Sequence, residues 1–176
     1  IAGQESATKS EPVLDILRDS EFIGKTALVF TKDHTARVVC TPIDANGYVI
    51  DGSFDKVYPF PVSFADTLAE VIAEVKPSKI ALDYSRNNPS ADGLSVGMYE
   101  LINEAIAKSK VETEVVSAEN IVSMVRGIKT EDEIAKIKRA VEETEVIFND
   151  AKSFIKAGMN CQDVYAFFQN ETERKG

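Results

Sequence analysis

Apolar positions along this chain change period from element to element. Residues 26–31 (TALVFT) and 36–41 (ARVVCT) are short runs rich in β-branched residues, and the polar Lys32-Asp33-His34-Thr35 between them predicts a hairpin loop. Pro42 and Asn46-Gly47 interrupt the pattern and predict turns. Residues 56–60 (KVYPF) predict a third strand, kept toward a sheet edge because Pro59 has no N–H to give a ladder. Leu68, Val71, Ile72 and Val75 then recur at helical spacing behind Ser63, a capping residue with Asp66 three positions on. Pro77 closes that helix. Residues 79–83 (KIALD) read as a short buried strand, 84–93 as a long polar loop, and 95–107 as a helix with Met98, Leu101, Ile102 and Ala105 inward. Residues 111–116 alternate as a half-exposed strand, and Ser117 caps a third helix that ends at Gly127.

Ahead of these elements, residues 1–10 are polar and aperiodic and read as a loose tail that supplies no strand. Pro12 is placed to open a short helix through residue 18, with Val13, Leu14, Ile16 and Leu17 apolar. From residue 79 the order strand–loop–helix–strand–helix is that of an α/β layer fold. The hairpin upstream favours a mixed sheet over a purely parallel one.

At Thr130 the pattern changes. Thr130 and Glu133 make a full capping box, and Glu131 and Asp132 suit the positive end of a helix dipole. Ile134, Ile137, Val141, Thr144, Phe148, Ala151 and Ile155 follow at alternating three- and four-residue steps. A stripe this short predicts a helix lying on a domain body rather than a coiled coil. Gly158 stops it. Asn160 caps a last helix, with Val164, Phe167 and Phe168 as its apolar surface.

Composition narrows the function classes. With 176 residues, 44% of them hydrophobic and 28% charged, the chain has the make-up of a soluble globular protein. A net charge of −9 opposes nucleic-acid binding, which needs clustered Lys and Arg. It leaves room for a basic partner. No apolar run approaches the roughly 20 residues of a membrane span, and no signal sequence opens the chain, so a cytoplasmic location is expected.

Residue types that carry chemistry are few. His34 is the one histidine, and the two cysteines, Cys40 and Cys161, match no metal or redox spacing. No phosphate-binding glycine loop, dinucleotide fingerprint or nucleophile elbow occurs. No residue is therefore expected to be catalytic or to ligate metal. One loop stands out. Residues 84–93 (YSRNNPSADG) leave a strand and enter a helix, the place where ligands lie in open α/β sheets. Tyr84, Arg86, Asn87, Asn88 and Asp92 are its candidate entrance or interaction residues; Asn and Asp in such a loop also serve as turn and cap formers.

Two stretches carry a family resemblance. Residues 80–97, IALDYSRNNPSADGLSVG, resemble the strand–loop–helix of a bacterial subgroup of prolidase-like proteins, with Asp83 and Tyr84 where that run often has Asn and Tyr. Residues 117–158 are similar to the junction before the catalytic domain in the creatinase/prolidase/aminopeptidase P family, through Val125, Arg126, Ile128, Lys129, Thr130, Glu133, Ile134, Ile137 and Ala140.

The resemblance implies a creatinase-like N-terminal domain over residues 11–127, a mixed α/β sheet flanked by helices. It implies that 128–176 are the first helices of a truncated metal-dependent "pita-bread" domain. The parent protein would then be an Xaa-Pro metallopeptidase acting on peptides, with two divalent ions (Mn, Co or Zn) held by two Asp, one His and two Glu. No position here matches those ligands, so no cofactor is expected in this chain. The resemblance further implies a homodimer in which this domain approaches the partner's active-site entrance. A catalytically inactive peptide- or histone-binding module, and a creatinase-type hydrolase, are the competing readings.

Overall fold

A computed structural model of the chain describes residues 1–4, 11–14, 17 and 23–175. They form two compact units, Ile1–Gly127 and Ile128–Gly176. The first unit is mixed α/β. Strands β1 (Ala2–Gly3), β2 (Thr26–Phe30), β3 (Ala36–Cys40) and β4 (Lys56–Pro59) lie side by side in that order. β1/β2 and β2/β3 pair antiparallel and β3/β4 parallel, so the sheet is mixed. A second, two-stranded parallel sheet holds β5 (Lys79–Leu82) and β6 (Glu114–Ser117). β6 is shorter than the expected 111–116 alternation and runs one residue past it.

Alternation along the hairpin sorts its side chains to two faces. Ala27 and Val39 point to one side, where they join Leu68, Val71 and Ile72 of α2 (Phe64–Val75) and Met98, Ile102 and Ala105 of α3 (Val96–Ser109). Leu28, Val38 and Cys40 point to the other, against Tyr48 of α1 (Pro42–Asp51). A smaller cluster gathers Val13, Ala91, Ala118 and Val122, the last on α4 (Glu119–Gly127). Ser63 and Ser95 cap α2 and α3 by accepting the N–H of Asp66 (3.2 Å) and Met98 (3.3 Å).

The structure departs from expectation in two places. Residues 42–51 are not turns but the helix α1. Thr41 accepts the Asp44 N–H as N-cap, and Pro42 occupies the first helical turn, where its missing N–H costs nothing. Asn46-Gly47 therefore lies inside a helix. Residues 1–3 are not a loose tail: Ala2 and Gly3 pair with Ala27 and Thr26, and the Ala2 N–H reaches Asp83 Oδ1 at 3.3 Å. The helix expected over residues 12–18 lies largely outside the described residues. Those described show a turn in which the Leu17 N–H donates to Leu14 O (2.9 Å).

The second unit is a helical pair, α5 (Glu131–Phe154) and α6 (Cys161–Lys175). The capping box is formed: the Glu133 N–H donates to Thr130 Oγ1 (3.2 Å) and the Thr130 N–H to Glu133 Oε2 (2.7 Å). The Thr130 N–H holds the Glu133 carboxyl below its ordinary range. Ile147 and Ala151 are buried, and Phe154 stacks on Phe167 at 4.4 Å. Thr130→Ala is expected to destabilise α5 by about 0.5–2 kcal/mol. Hydrogen exchange checks this: protection should fall over Glu131–Phe154 and stay unchanged in β2 and β3. Among the described residues, no helix is long and apolar enough to cross a membrane.

Candidate functional site

The loop that the sequence singles out is tied down at both ends. Asp83, at the exit of β5, accepts through its carbonyl from the N–H groups of Gly93 and Leu94, both at 3.1 Å. Ser117 Oγ, at the exit of β6, donates to the Tyr84 carbonyl. Within the loop, Ser85 Oγ accepts from the N–H groups of Asn87 (3.0 Å) and Asn88 (2.9 Å). It donates to Glu119 Oε2 on α4 (2.7 Å). Asp92 Oδ1 accepts from the Ser85 N–H (3.2 Å). Asn88 Oδ1 caps the 3-10 turn Pro89–Ala91, and its Nδ2 donates to Ser123 Oγ at 3.0 Å.

The five candidate residues thus fall into three groups. Asn88 and Asp92 build the loop itself. Tyr84 is half-buried and meets Tyr99 edge to face at 6.0 Å. Arg86 and Asn87 are exposed at the loop surface. A rigid frame that presents one cation and one amide to solvent can hydrogen-bond a carboxylate or a peptide carbonyl.

The residues that anchor the frame, Ser85, Ser117 and Glu119, are not among those candidates. Ser85 was inside the loop but is chemically ordinary, and Glu119 is separated from it by 34 residues, so no local signal joins them.

A second feature has no sequence signal at all. Glu11 and Asp83 form a buried carboxyl pair, with 7% and 0% of their surface exposed. Glu11 Oε1 accepts from the Val13 N–H at 3.2 Å. Among the described residues Glu11 Oε2 and Asp83 Oδ2 have no other hydrogen-bond partner, and a proton held on Glu11 can be shared with Asp83. Burial, then the Asp83 charge and the hydrogen bond to it, push the Glu11 carboxyl up to about 8; the Val13 N–H and the Ile1 ammonium pull the other way. A side chain at Gly93 would collide with this carboxyl: an added Cβ would stand 1.7 Å from Glu11 Oε2.

Metal chemistry finds no support in these residues. Among those described, no three His, Cys, Asp or Glu side chains are grouped to hold an ion. His34 is exposed in the hairpin loop with φ 63°. Burial pushes the Cys40 thiol up to about 11, with Asp44 adding to the effect, which leaves it an inert core residue.

No family model and no curated protein matches the chain. Its structure is similar to the crystal structure of an X-Pro aminopeptidase from Thermotoga maritima, with a TM-score of 0.51 and 21% sequence identity over 87% of this chain. The match spans 40% of that protein's chain. At that identity the likeness shows the fold: the chain shares the α/β architecture found in part of an X-Pro aminopeptidase.

Proposed function

We propose that this chain is the non-catalytic front of an Xaa-Pro metallopeptidase of the prolidase/aminopeptidase P type. Residues 11–127 form its creatinase-like N-terminal domain, and 128–176 contribute the first helices of the pita-bread domain. The fold shared with part of an X-Pro aminopeptidase carries this reading. In the parent protein, the domain supports a dimer and flanks the entrance to the active site. Arg86 and Asn87, held out on the 84–93 loop, are the groups placed to meet a peptide there. In this reading the chemistry belongs to residues outside this chain: hydrolysis at a metal-bound water needs a grouped ligand set, and among the described residues no three His, Cys, Asp or Glu side chains are so grouped.

The coding sequence beyond codon 176 tests the proposal. Two Asp, one His and two Glu codons in the family's order are expected there. A frame that ends without them, or continues into an unrelated domain, would overturn the peptidase reading and favour a binding module.

A further inference from the structure

Residues 11–14 touch the base of the 84–93 loop and are held at several points. Val13 is buried with Ala91 of the loop and with Ala118 and Val122. Leu14 enters a different cluster, beside Leu28, Val38, Cys40 and Tyr48. Arg126 of α4 donates from Nη1 to the Pro12 carbonyl at 2.8 Å. The remaining hold is the carboxyl of Glu11 on that of Asp83.

Asp83 joins this segment to the loop. Its Oδ1 accepts the Ala2 N–H at 3.3 Å, and its carbonyl accepts the Gly93 and Leu94 N–H groups, both at 3.1 Å. Glu11 lies directly on the end of the loop, where Gly93 lacks the Cβ that would strike Glu11 Oε2. Both carboxyls are more than nine-tenths buried, and Glu11 Oε2 and Asp83 Oδ2 meet no donor among the described residues. Two carboxylates this close, out of water, resist being charged together. One proton between them turns the repulsion into a hydrogen bond.

The charged groups around the pair are of both signs. The Ile1 ammonium donates to the Leu28 carbonyl at 3.0 Å, and Arg126 to that of Pro12. Glu119, at the start of α4, accepts from Ser85 Oγ, and Asp92, beside Gly93, accepts from the Ser85 N–H. The two cations thus donate to main-chain carbonyls, and the other two groups are acids.

We propose that residues 11–14 are a strap on the base of the 84–93 loop, locked while Glu11 and Asp83 share a proton and released when that proton is lost. With both carboxylates charged, lifting the strap returns Glu11 to water at the cost of exposing Val13 and Leu14. A four-residue strap gives way more readily than the sheet and helices beneath it, which share one large apolar cluster. Once the strap lifts, Glu11 no longer backs Gly93, and the frame that presents Arg86 and Asn87 loosens. The release stands apart from the peptidase reading; only its consequence for a bound peptide rests on that reading.

Hydrogen exchange of the 176-residue chain at about pH 6 and about pH 8 is the test, with Glu11→Gln alongside. Base catalysis speeds every amide alike, so the readout is the rate at Val13, Gly93 and Leu94 divided by the rate at Val38 and Val39 of β3. In the unmodified chain this ratio should rise about tenfold or more, because opening becomes about tenfold easier for each pH unit over which only the lifted strap has released its proton. In Glu11→Gln the side-chain amide donates to Asp83 at either pH, so the ratio should stay level. A level ratio in the unmodified chain overturns the proposal by itself, because the unit then opens as a whole or not at all. A rise of the same size in Glu11→Gln overturns it too, because another group would then be titrating.

Discussion

Raising the pH from about 5 to about 9 is expected to destabilise the first unit, and Glu11→Gln is expected to remove most of that loss. The sign follows from where the proton sits. In the folded chain Glu11 keeps its proton up to about pH 8, whereas its ordinary value is 4.5. Between those values the unfolded chain has released a proton that the folded chain still holds. Stability linked to this group is therefore full below about 4.5 and falls as pH rises toward 8. At about 1.4 kcal/mol for each pH unit of separation, the loss is on the order of 5 kcal/mol at most. Glutamine keeps the shape and can donate to Asp83 at every pH. Urea midpoints of the two proteins at several pH values check this. The unmodified midpoint should fall with pH while that of Glu11→Gln stays nearly level. A parallel decline in both would show that Glu11 is not the group responsible.

Leu68→Ala is expected to cost about 2–5 kcal/mol. Leu68 is 4% exposed on α2 and faces the cluster shared with Met98 and Ile102 of α3 and with Val39 of the sheet. Truncation loses the burial of the removed carbons and leaves a cavity, because helices fixed at both capped ends close it only partly. Val62→Ala serves as the contrast. Val62 is 91% exposed and should change stability by no more than about 0.5 kcal/mol. Denaturant unfolding should show the Leu68 midpoint shifted at nearly constant slope.

Elements with local causes were legible in the residues. The β2–β3 hairpin follows from two β-rich runs around a polar loop, and α2, α3 and α5 from capping residues ahead of a helical stripe. The edge position of β4 follows from Pro59. Helix α1 was misread because Pro42 and Asn46-Gly47 are turn residues by habit. What decides is that Thr41 stands ahead of the proline as a cap and that Tyr48 has a core to enter. Strand β1 was missed because two residues carry no period; pairing with Thr26 and Ala27 and the bond from Ala2 to Asp83 make it a strand. The candidate loop was legible as a place, since a polar loop between strand and helix is a local signal. Its division into frame and presented residues was not, because the frame closes through Ser117, Glu119 and Ser123, some 33 to 35 residues away. The Glu11–Asp83 pair joins residues with no sequence relation to each other, and only the fold brings them together.

Titrating the chain with manganese, cobalt and zinc by calorimetry, with a parallel assay for cleavage of Xaa-Pro dipeptides, bears most directly on the claim that this is a non-catalytic front. No site tighter than about millimolar is expected, far weaker than metal-dependent catalysis requires. No proline release above background should follow. A stoichiometric micromolar site together with Xaa-Pro hydrolysis would contradict the account.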